Sequence, residues 1–252
     1  MITDPWFYVA AVPAIILFGV SKGGFGAGFG IVATPMIALV VSPVQAAAIL
    51  LPILCLMDLF ALRAYWGLWV WRELRLLIPA SLIGIGIGTV LFEYMSPAII
   101  RLILGAIAIV FTLNHWLHLT TKGDLERPVY PPLVGSIAGV TAGFTSFIAH
   151  SGGPPLDMYL LRRRLDRTSF VGTTVLFFMV ANYVKLVPYA WLGQLDTSNL
   201  STSLVLAPLA PIGIGLGVWL HKRVSERVFF HFVYTMLFVV GTKLVYDGVG
   251  GL

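Results

Sequence analysis

The stretch SKGGFGAGFGIVATP, residues 21–35, places five glycines, a lysine and a proline inside a long apolar segment. Glycines at this density weaken an α-helix, and a proline cannot donate the backbone hydrogen bond that a helix interior needs. If the segment lies in a membrane, a charged side chain there is costly and indicates function. The stretch therefore predicts a broken membrane helix that carries a functional charge.

The composition is that of a protein that crosses a membrane several times. The 252 residues are 58% hydrophobic and only 11% charged, whereas a soluble domain carries roughly 25% charged residues. Several uncharged apolar runs reach the roughly 20 residues that span a bilayer core. The formal net charge of +5 comes mostly from short loops, where it is typical of topology signals beside anionic lipid and not of nucleic-acid binding.

The chain matches itself, and this internal similarity predicts a duplication. GVSKG at 19–23 aligns with GVTAG at 139–143, and PASLIGIGIG at 79–88 aligns with PLAPIGIGLG at 208–217. Two shared patterns in the same order are evidence for a repeat architecture. We expect one integral membrane domain with a first repeat at 1–120, a linker at 121–129 and a second repeat at 130–252.

Each repeat is predicted to contain a broken element followed by three full spans, which makes the fold an all-α polytopic membrane protein. The apolar runs, with their glycine, proline and charged boundaries, give the approximate bounds of these elements. The predicted elements lie at 7–41 (broken), 43–66, 70–92 and 96–118, and then at 131–162 (broken), 166–190, 200–221 and 225–247. The acidic lead of the first run, MITDPWF, indicates that this run is not a cleaved signal peptide.

Loop charge predicts that the two repeats are inserted upside down relative to each other. The loop at 63–75 carries three arginines, whereas its counterpart at 191–199 carries no cation. Conversely, RRRLDR at 162–167 is strongly basic, and its counterpart in the first repeat is not. Because basic loops stay in the cytoplasm, the two repeats have opposite orientations. Three full spans connect opposite sides of the membrane, so opposite orientations in one chain require each broken element to begin and end on the same side. We therefore expect inverted-topology repeats with re-entrant hairpins, in the inner membrane, with both termini on the outer side.

The two breaks together predict an anion site near the middle of the membrane. The second break, TAGFTSFIAHSGGPP at 141–155, is also rich in glycine and proline. Backbone N–H groups at the start of a half-helix bind anions, and secondary transporters place their sites where broken helices meet. Ser21, Thr145 and Ser146 are further hydroxyl donors near the breaks. The predicted substrate-binding positions on the breaks are Gly24, Gly26, Gly28, Gly30, Thr34, Ser151, Gly152 and Gly153.

Ionisable residues inside the predicted spans complete the candidate site. Lys22 lies in the first break, Asp58 in the span 43–66, and Lys185 one turn after Asn182, which aligns with Asp58. We expect Lys22, Asn182 and Lys185 to bind the anion and Asp58 to gate the site or couple protons. A structural salt bridge from Asp58 to either lysine is the alternative, and its surplus positive charge would still favour an anionic guest.

Two other groups of residues have a structural and a functional interpretation. His150 at the second break is either a hydrogen-bonded structural histidine or a substrate-binding and proton-carrying one. The pairs Gly84/Gly88 and Gly213/Gly217 are typical of close helix packing. Arg63, Arg101 and Lys243, near span ends, are interpreted as side chains that reach the membrane interface.

No catalytic, metal or cofactor site is predicted. The glycine spacing in GGFGAGFG has no surrounding βαβ pattern, so it does not indicate a nucleotide site. The single cysteine, Cys55, excludes an intramolecular disulfide or a metal site built from cysteines. An intramembrane enzyme would have to use Ser151 beside His150, the one nucleophile and base that are close in sequence.

The residues at both breaks resemble those of a known family. With GFGAGFGIVATPMIAL in one repeat, HSGGPPLDMYLL in the other, and GIGIGTVL aligned with GIGLGVWL, the chain resembles the TauE/SafE sulfite exporter family, or TSUP permeases, over essentially its whole length. The resemblance implies transport of sulfur-containing anions such as sulfite, sulfoacetate or other organosulfonates, often outward. It does not assign site residues, so those above rest on physical arguments.

The prediction is therefore a secondary anion transporter that works by alternating access around a central site, with the bilayer and a small anion as its partners and the proton as a candidate coupling ion. The alternatives that the sequence leaves open are an anion channel, an uptake permease for another small organic anion, an intramembrane enzyme and a non-transporting partner subunit.

Overall fold

A computed structural model describes residues 1–25, 31–92, 94–119, 131–221, 223 and 226–252. The regular structure in these ranges is helical throughout, which confirms the predicted all-α class. Eight helical stretches in them are long and apolar enough to cross a membrane. The chain is therefore a multi-pass membrane protein.

The helices follow the predicted order of broken and unbroken elements. Up to residue 119 they are α1 (Pro5–Val20), a π-helical turn (Ser21–Phe25), α2 (Ala33–Ile37), α3 (Pro43–Ala64), α4 (Trp71–Phe92) and α5 (Pro97–Leu119). From residue 131 they are α6 (Pro132–Ala149), α7 (Gly153–Leu161), α8 (Arg167–Trp191), α9 (Thr197–Leu206), α10 (Leu209–His221) and α11 (Glu226–Val249). The helices α1, α3, α8 and α9 each begin at a side-chain cap, where an oxygen accepts backbone N–H bonds; the capping residues are Asp4, Ser42, Asp166 and Asp196.

The predicted single span at 200–221 is wrong in one respect, because the structure divides it into α9 and α10. Pro208 lies at the division and has no N–H to donate to the carbonyl of Leu204, and its ring crowds the preceding turn. The N–H of Ala207 bonds to that carbonyl instead, at 3.3 Å. The stretch Thr197–Leu220 as a whole is still long enough to cross a membrane.

The first broken element ends beside its own beginning. The backbone N–H of Ile2, just before α1, donates to Thr202 Oγ1 at 3.0 Å, and Gln45 Nε2, at the start of α3, donates to Asn199 Oδ1 at 3.2 Å. Thr202 and Asn199 are three residues apart on α9 and so lie on one face of it. Both ends of the first broken element therefore lie at the same end of the helix bundle.

The second broken element also folds back on itself. A Cβ atom placed on Gly135, near the start of α6, would lie 2.6 Å from Tyr159 Cζ, near the end of α7. Glu73, at the start of α4, accepts hydrogen bonds from the Tyr159 hydroxyl and from Arg163 Nε, both at 2.9 Å. These contacts fasten the end of α7 to the start of α4.

Glycines allow the helices on either side of the breaks to approach closely, as the sequence predicts for Gly84, Gly88, Gly213 and Gly217. The most extensive helix contacts are those of α4 with α6, α5 with α11 and α1 with α10. A Cβ atom on Gly84 of α4 would lie 2.0 Å from the Val140 carbonyl oxygen of α6, and one on Gly217 of α10 would lie 2.4 Å from the Val20 carbonyl oxygen of α1. Such distances exclude any larger residue unless the helices separate.

We expect Gly84→Ala to destabilise the protein and Gly86→Ala, in the same helix, to be harmless. The alanine methyl group at 84 overlaps the backbone of α6, whereas Gly86 has nothing within 4 Å of its Cβ position. Overpacking should lower the free energy of unfolding by about 1–3 kcal/mol, while the exposed alanine at 86 should be neutral or slightly stabilising. Thermal unfolding in detergent measures both. Equal midpoints for the two variants would contradict the packing argument.

Candidate functional site

The first break places a charged side chain in the interior. The π-helical turn that follows α1 holds Lys22, whose exposed fraction is only 3%. Such turns widen a helix locally and are frequent at functional sites. Gly24 belongs to this turn, whereas Gly26, Gly28 and Gly30 lie outside the described residues. Thr34, at the start of α2, is buried, and its Oγ1 has no hydrogen-bond partner among the described residues.

The second break turns at a histidine. His150 ends α6 with a φ of 52°, in the left-handed region that residues other than glycine rarely adopt. Strained backbone of this kind persists only where the surroundings hold it in place, and it is frequent at functional sites. The N–H groups of His150 and Ser151 donate to the last carbonyls of α6, and α7 begins at Gly153.

Residues 151–154, at the start of α7, can offer only some of their backbone N–H groups to an anion. The Ser151 N–H is bound to the Thr145 carbonyl at 3.2 Å, and Pro154 has no N–H. Among these four residues, the N–H groups that remain to face an anion are those of Gly152 and Gly153. The Ser151 hydroxyl donates to the Ala149 carbonyl at 3.1 Å, so side chains must supply most of the charge.

Lys22 forms the predicted salt bridge with Asp58. Lys22 Nζ contacts Asp58 Oδ1, and both side chains are at most 2% exposed. The second carboxylate oxygen accepts a hydrogen bond from Asn182 Nδ2 at 2.6 Å. Asp58 therefore joins the first break to α8, and its charge is fully matched by that of Lys22.

Lys185 does not pair with Asp58, although the sequence permits that arrangement. Its Nζ donates to the Ser146 carbonyl at 2.9 Å, to Ser146 Oγ at 3.0 Å and to His150 Nδ1 at 2.9 Å. An ammonium group has three N–H donors, and all three are used. No described carboxylate lies within salt-bridge distance of Lys185, so its positive charge is unmatched.

The contacts of His150 define its tautomer. His150 Nε2 lies 2.9 Å from the Ala47 carbonyl oxygen, which can only accept, so this nitrogen carries a proton. His150 Nδ1 accepts from the Lys185 ammonium and is therefore unprotonated. The imidazole is neutral in this arrangement of hydrogen bonds. Neither ring nitrogen contacts Ser151, so the serine and histidine do not form a nucleophile and base pair.

A small cavity lies between the two breaks, beside the Lys22–Asp58 pair and the contacts that Lys185 makes with Ser146 and His150. Its free volume of about 10 Å³ is close to that needed by one water molecule. A larger guest therefore requires the surrounding helices to separate. The cavity is lined by Phe18, Lys22, Leu54, Ser146, His150, Phe178 and Asn182.

The structure thus brings together the five ionisable or amide residues that the sequence singles out, namely Lys22, Asp58, His150, Asn182 and Lys185. The sequence indicates Ser146 only as a hydroxyl donor near the second break and not as a substrate-binding residue, although it lies one helical turn before His150. The sequence does not indicate Ala47, whose contribution is a backbone carbonyl, and no side-chain pattern could have indicated it.

Comparison with known proteins identifies the same family that the residues at the two breaks resemble. A sequence model described as Sulfite exporter TauE/SafE matches residues 11–244, which include both breaks and all five residues of the central cluster. The chain is also similar to the "Probable sulfite/organosulfonate exporter TauE" of Cupriavidus necator, with 24% identity over 190 residues, 71% of this chain and 70% of that protein. No solved structure matches the chain.

The Lys22–Asp58 pair should show strong energetic coupling. Lys22→Gln or Asp58→Asn alone leaves one buried charge without its partner, and we expect each to lower the free energy of unfolding by about 3–5 kcal/mol. The double variant removes both charges, so it should be more stable than either single variant. Thermal or denaturant unfolding in detergent measures the cycle. Additive losses in the double variant would show that the pair is not coupled.

Proposed function

The chain belongs to the sulfite exporter TauE/SafE family, and on this premise we propose that it is a secondary transporter that moves a small sulfur-containing anion, such as sulfite or an organosulfonate, out of the cell. The substrate binds in the central cavity, and access alternates between the two sides of the membrane. A negative interior assists the export of an anion by about 2.3 kcal/mol per charge per 100 mV.

The observation that carries this proposal is the unmatched positive charge of Lys185 beside a cavity between two helix breaks. A buried ammonium group that contacts only neutral acceptors is costly, and such residues inside membranes mark substrate pathways. Lys185 lies behind the cavity wall formed by Ser146 and His150. An anion in the cavity would match this charge.

The cavity wall also offers donors that suit a sulfur oxyanion. Lys22, Asn182 and the Ser146 hydroxyl reach the cavity, and each can donate to an oxygen of the guest. A sulfonate presents three acceptor oxygens and keeps its charge at physiological pH, and charge-assisted hydrogen bonds are the strong ones. The N–H groups of Gly152 and Gly153 are further donors at the start of α7.

Asp58 is proposed to gate the site. In the present conformation it occupies Lys22 and Asn182, which are also the groups that a guest would use. An incoming anion competes with Asp58 for them, and loss of the Asp58 contacts would loosen the junction between the first break and α8. Protonation of Asp58 would release the same contacts, so proton coupling through Asp58 belongs to this proposal.

Two polar contact layers are proposed to open in turn. One joins Gln45 to Asn199 at the start of α3, and the other joins Glu73 to Arg163 and Tyr159 beyond its end. The 22 residues of α3, which lies between the two layers along the chain, give a helix about 33 Å long, comparable with the thickness of a bilayer core. Each layer connects residues before 120 with residues after 130, so relative motion of these two segments would break one while keeping the other.

The two segments 1–120 and 130–252 are proposed to be inverted repeats, with both termini outside the inner membrane. In support, α1 packs on α10 and α4 packs on α6, which is the exchange of corresponding partners that a two-fold axis generates. Loop charge supports the orientation, since the layer containing Arg163 lies at the basic end of the bundle.

We expect wild-type protein in proteoliposomes to catalyse counterflow of labelled ethanesulfonate, and Lys185→Met to lower its rate at least about tenfold, because the variant removes the buried positive charge that attracts the anion. Lys243→Met is the matched control, because Lys243 is exposed and paired with Asp247 one turn away; its rate should stay within about twofold of the wild type.

The same assay separates the alternatives. A channel would give flux without saturation or counterflow, and counterflow of carboxylates in preference to sulfonates would indicate a permease for another organic anion. No flux of any anion would favour an enzyme or a partner subunit, and equal rates for the two lysine variants would remove Lys185 from the site.

A further inference from the structure

Around the central cavity, the buried positive charges outnumber the buried negative charges by one. Lys22 and Asp58 contact each other and cancel, while Lys185 contacts only the Ser146 oxygens and the neutral ring of His150. We infer that the cavity is built for an anion of a single negative charge, so that hydrogensulfite and simple monosulfonates bind in preference to dianions such as sulfoacetate. This inference rests on the proposed function and specifies its substrate class.

No other described charge reaches this cluster. Glu73 is bound to Arg163 and Tyr159 in the contact layer beyond the end of α3. Asp157, on α7, forms no ion pair with Lys22 or Lys185 among the described residues. The segment 26–30, which lies outside the described residues, reads Gly-Ala-Gly-Phe-Gly and contains no ionisable side chain.

The contacts of Lys185 suit an ammonium group. Its Nζ lies 2.9–3.0 Å from three groups that can accept a hydrogen bond, and an ammonium group has three N–H donors. One acceptor is Nδ1 of His150, whose other nitrogen already donates to the Ala47 carbonyl. With Lys185 as an ammonium group, the cluster holds one surplus positive charge.

A bound monoanion would make the buried cluster neutral, whereas a dianion would leave one negative charge unmatched. Unmatched charge is strongly disfavoured inside a protein, because protein groups replace only part of the hydration that is lost. The remaining groups that line the cavity are the apolar side chains Phe18, Leu54 and Phe178, which cannot stabilise a second charge. Charge matching should therefore discriminate between anions of the same size.

Sulfoacetate and its amide, sulfoacetamide, form a matched pair for the test, because a neutral carboxamide replaces a carboxylate of the same shape. Both are used at pH 7 as inhibitors of labelled ethanesulfonate counterflow in wild-type proteoliposomes. We expect the amide to inhibit at a concentration at least about tenfold lower than sulfoacetate. Equal inhibition, or stronger inhibition by sulfoacetate, would overturn the inference.

A charge-shift variant tests the same point from the protein side. Asp58→Asn leaves Lys22 unmatched and gives the cluster two surplus positive charges, so the preference should move at least about tenfold toward sulfoacetate. Lys22→Gln combined with Asp58→Asn restores one surplus charge and should restore the wild-type preference. A preference that does not change in Asp58→Asn, or that changes equally in the double variant, would overturn the inference.

The variants are also compared by the rise in unfolding temperature that each ligand produces in detergent, which measures binding even if a variant no longer transports. The preference between the two ligands should follow the same order in this measurement, and the opposite order overturns the inference. If wild-type protein binds and transports sulfonates without regard to charge, the charge inference fails and the proposed function stands. If it binds no sulfonate, both fail.

Discussion

A lysine ammonium buried in a membrane protein must find partners, and the centre of this structure is organised by that requirement. The partners of Lys185 are the Ser146 carbonyl oxygen, Ser146 Oγ and His150 Nδ1. These groups belong to the last turn of α6, where the helix dipole is negative and favours a cation. The left-handed turn at His150 both ends the helix and aims the ring at Lys185. The break in α6 and the charge on α8 are thus parts of one arrangement.

The glycine contacts hold both breaks against helices from the other segment of the chain. A Cβ atom on Gly23, in the π-helical turn, would lie 2.4 Å from the Ile214 carbonyl oxygen of α10. One on Gly143, a turn before Ser146, would lie 2.1 Å from the Ser81 carbonyl oxygen of α4. Because backbone packs directly against backbone at these contacts, a shift of one helix moves the helix packed against it. Movement of α4 or α10 would therefore displace the groups that line the cavity.

Most of the fold can be predicted from the sequence, because membrane spans and their breaks depend on local composition. The division at Pro208 could not, since Pro79 occupies the aligned position in α4 without interrupting it. The difference lies in the neighbours: the turns before Pro79 are rich in leucine, whereas α9, TSNLSTSLVL, is rich in serine, threonine and asparagine, which support a helix poorly. At the site, the Lys22–Asp58 pair was one of two predicted possibilities. The partners of Lys185 were not predicted, because they depend on a backbone carbonyl and on how α8 packs against α6.

The central claim is that the cavity between the two breaks is where a sulfur-containing anion binds. The most direct test is a crystal structure with 2-bromoethanesulfonate, whose bromine is located by anomalous scattering. We expect a bromine peak in the cavity, with the sulfonate oxygens in hydrogen-bond contact with Lys22, Asn182 or Ser146. A peak elsewhere on the protein, with the central cavity still closed around its present contacts, would contradict it.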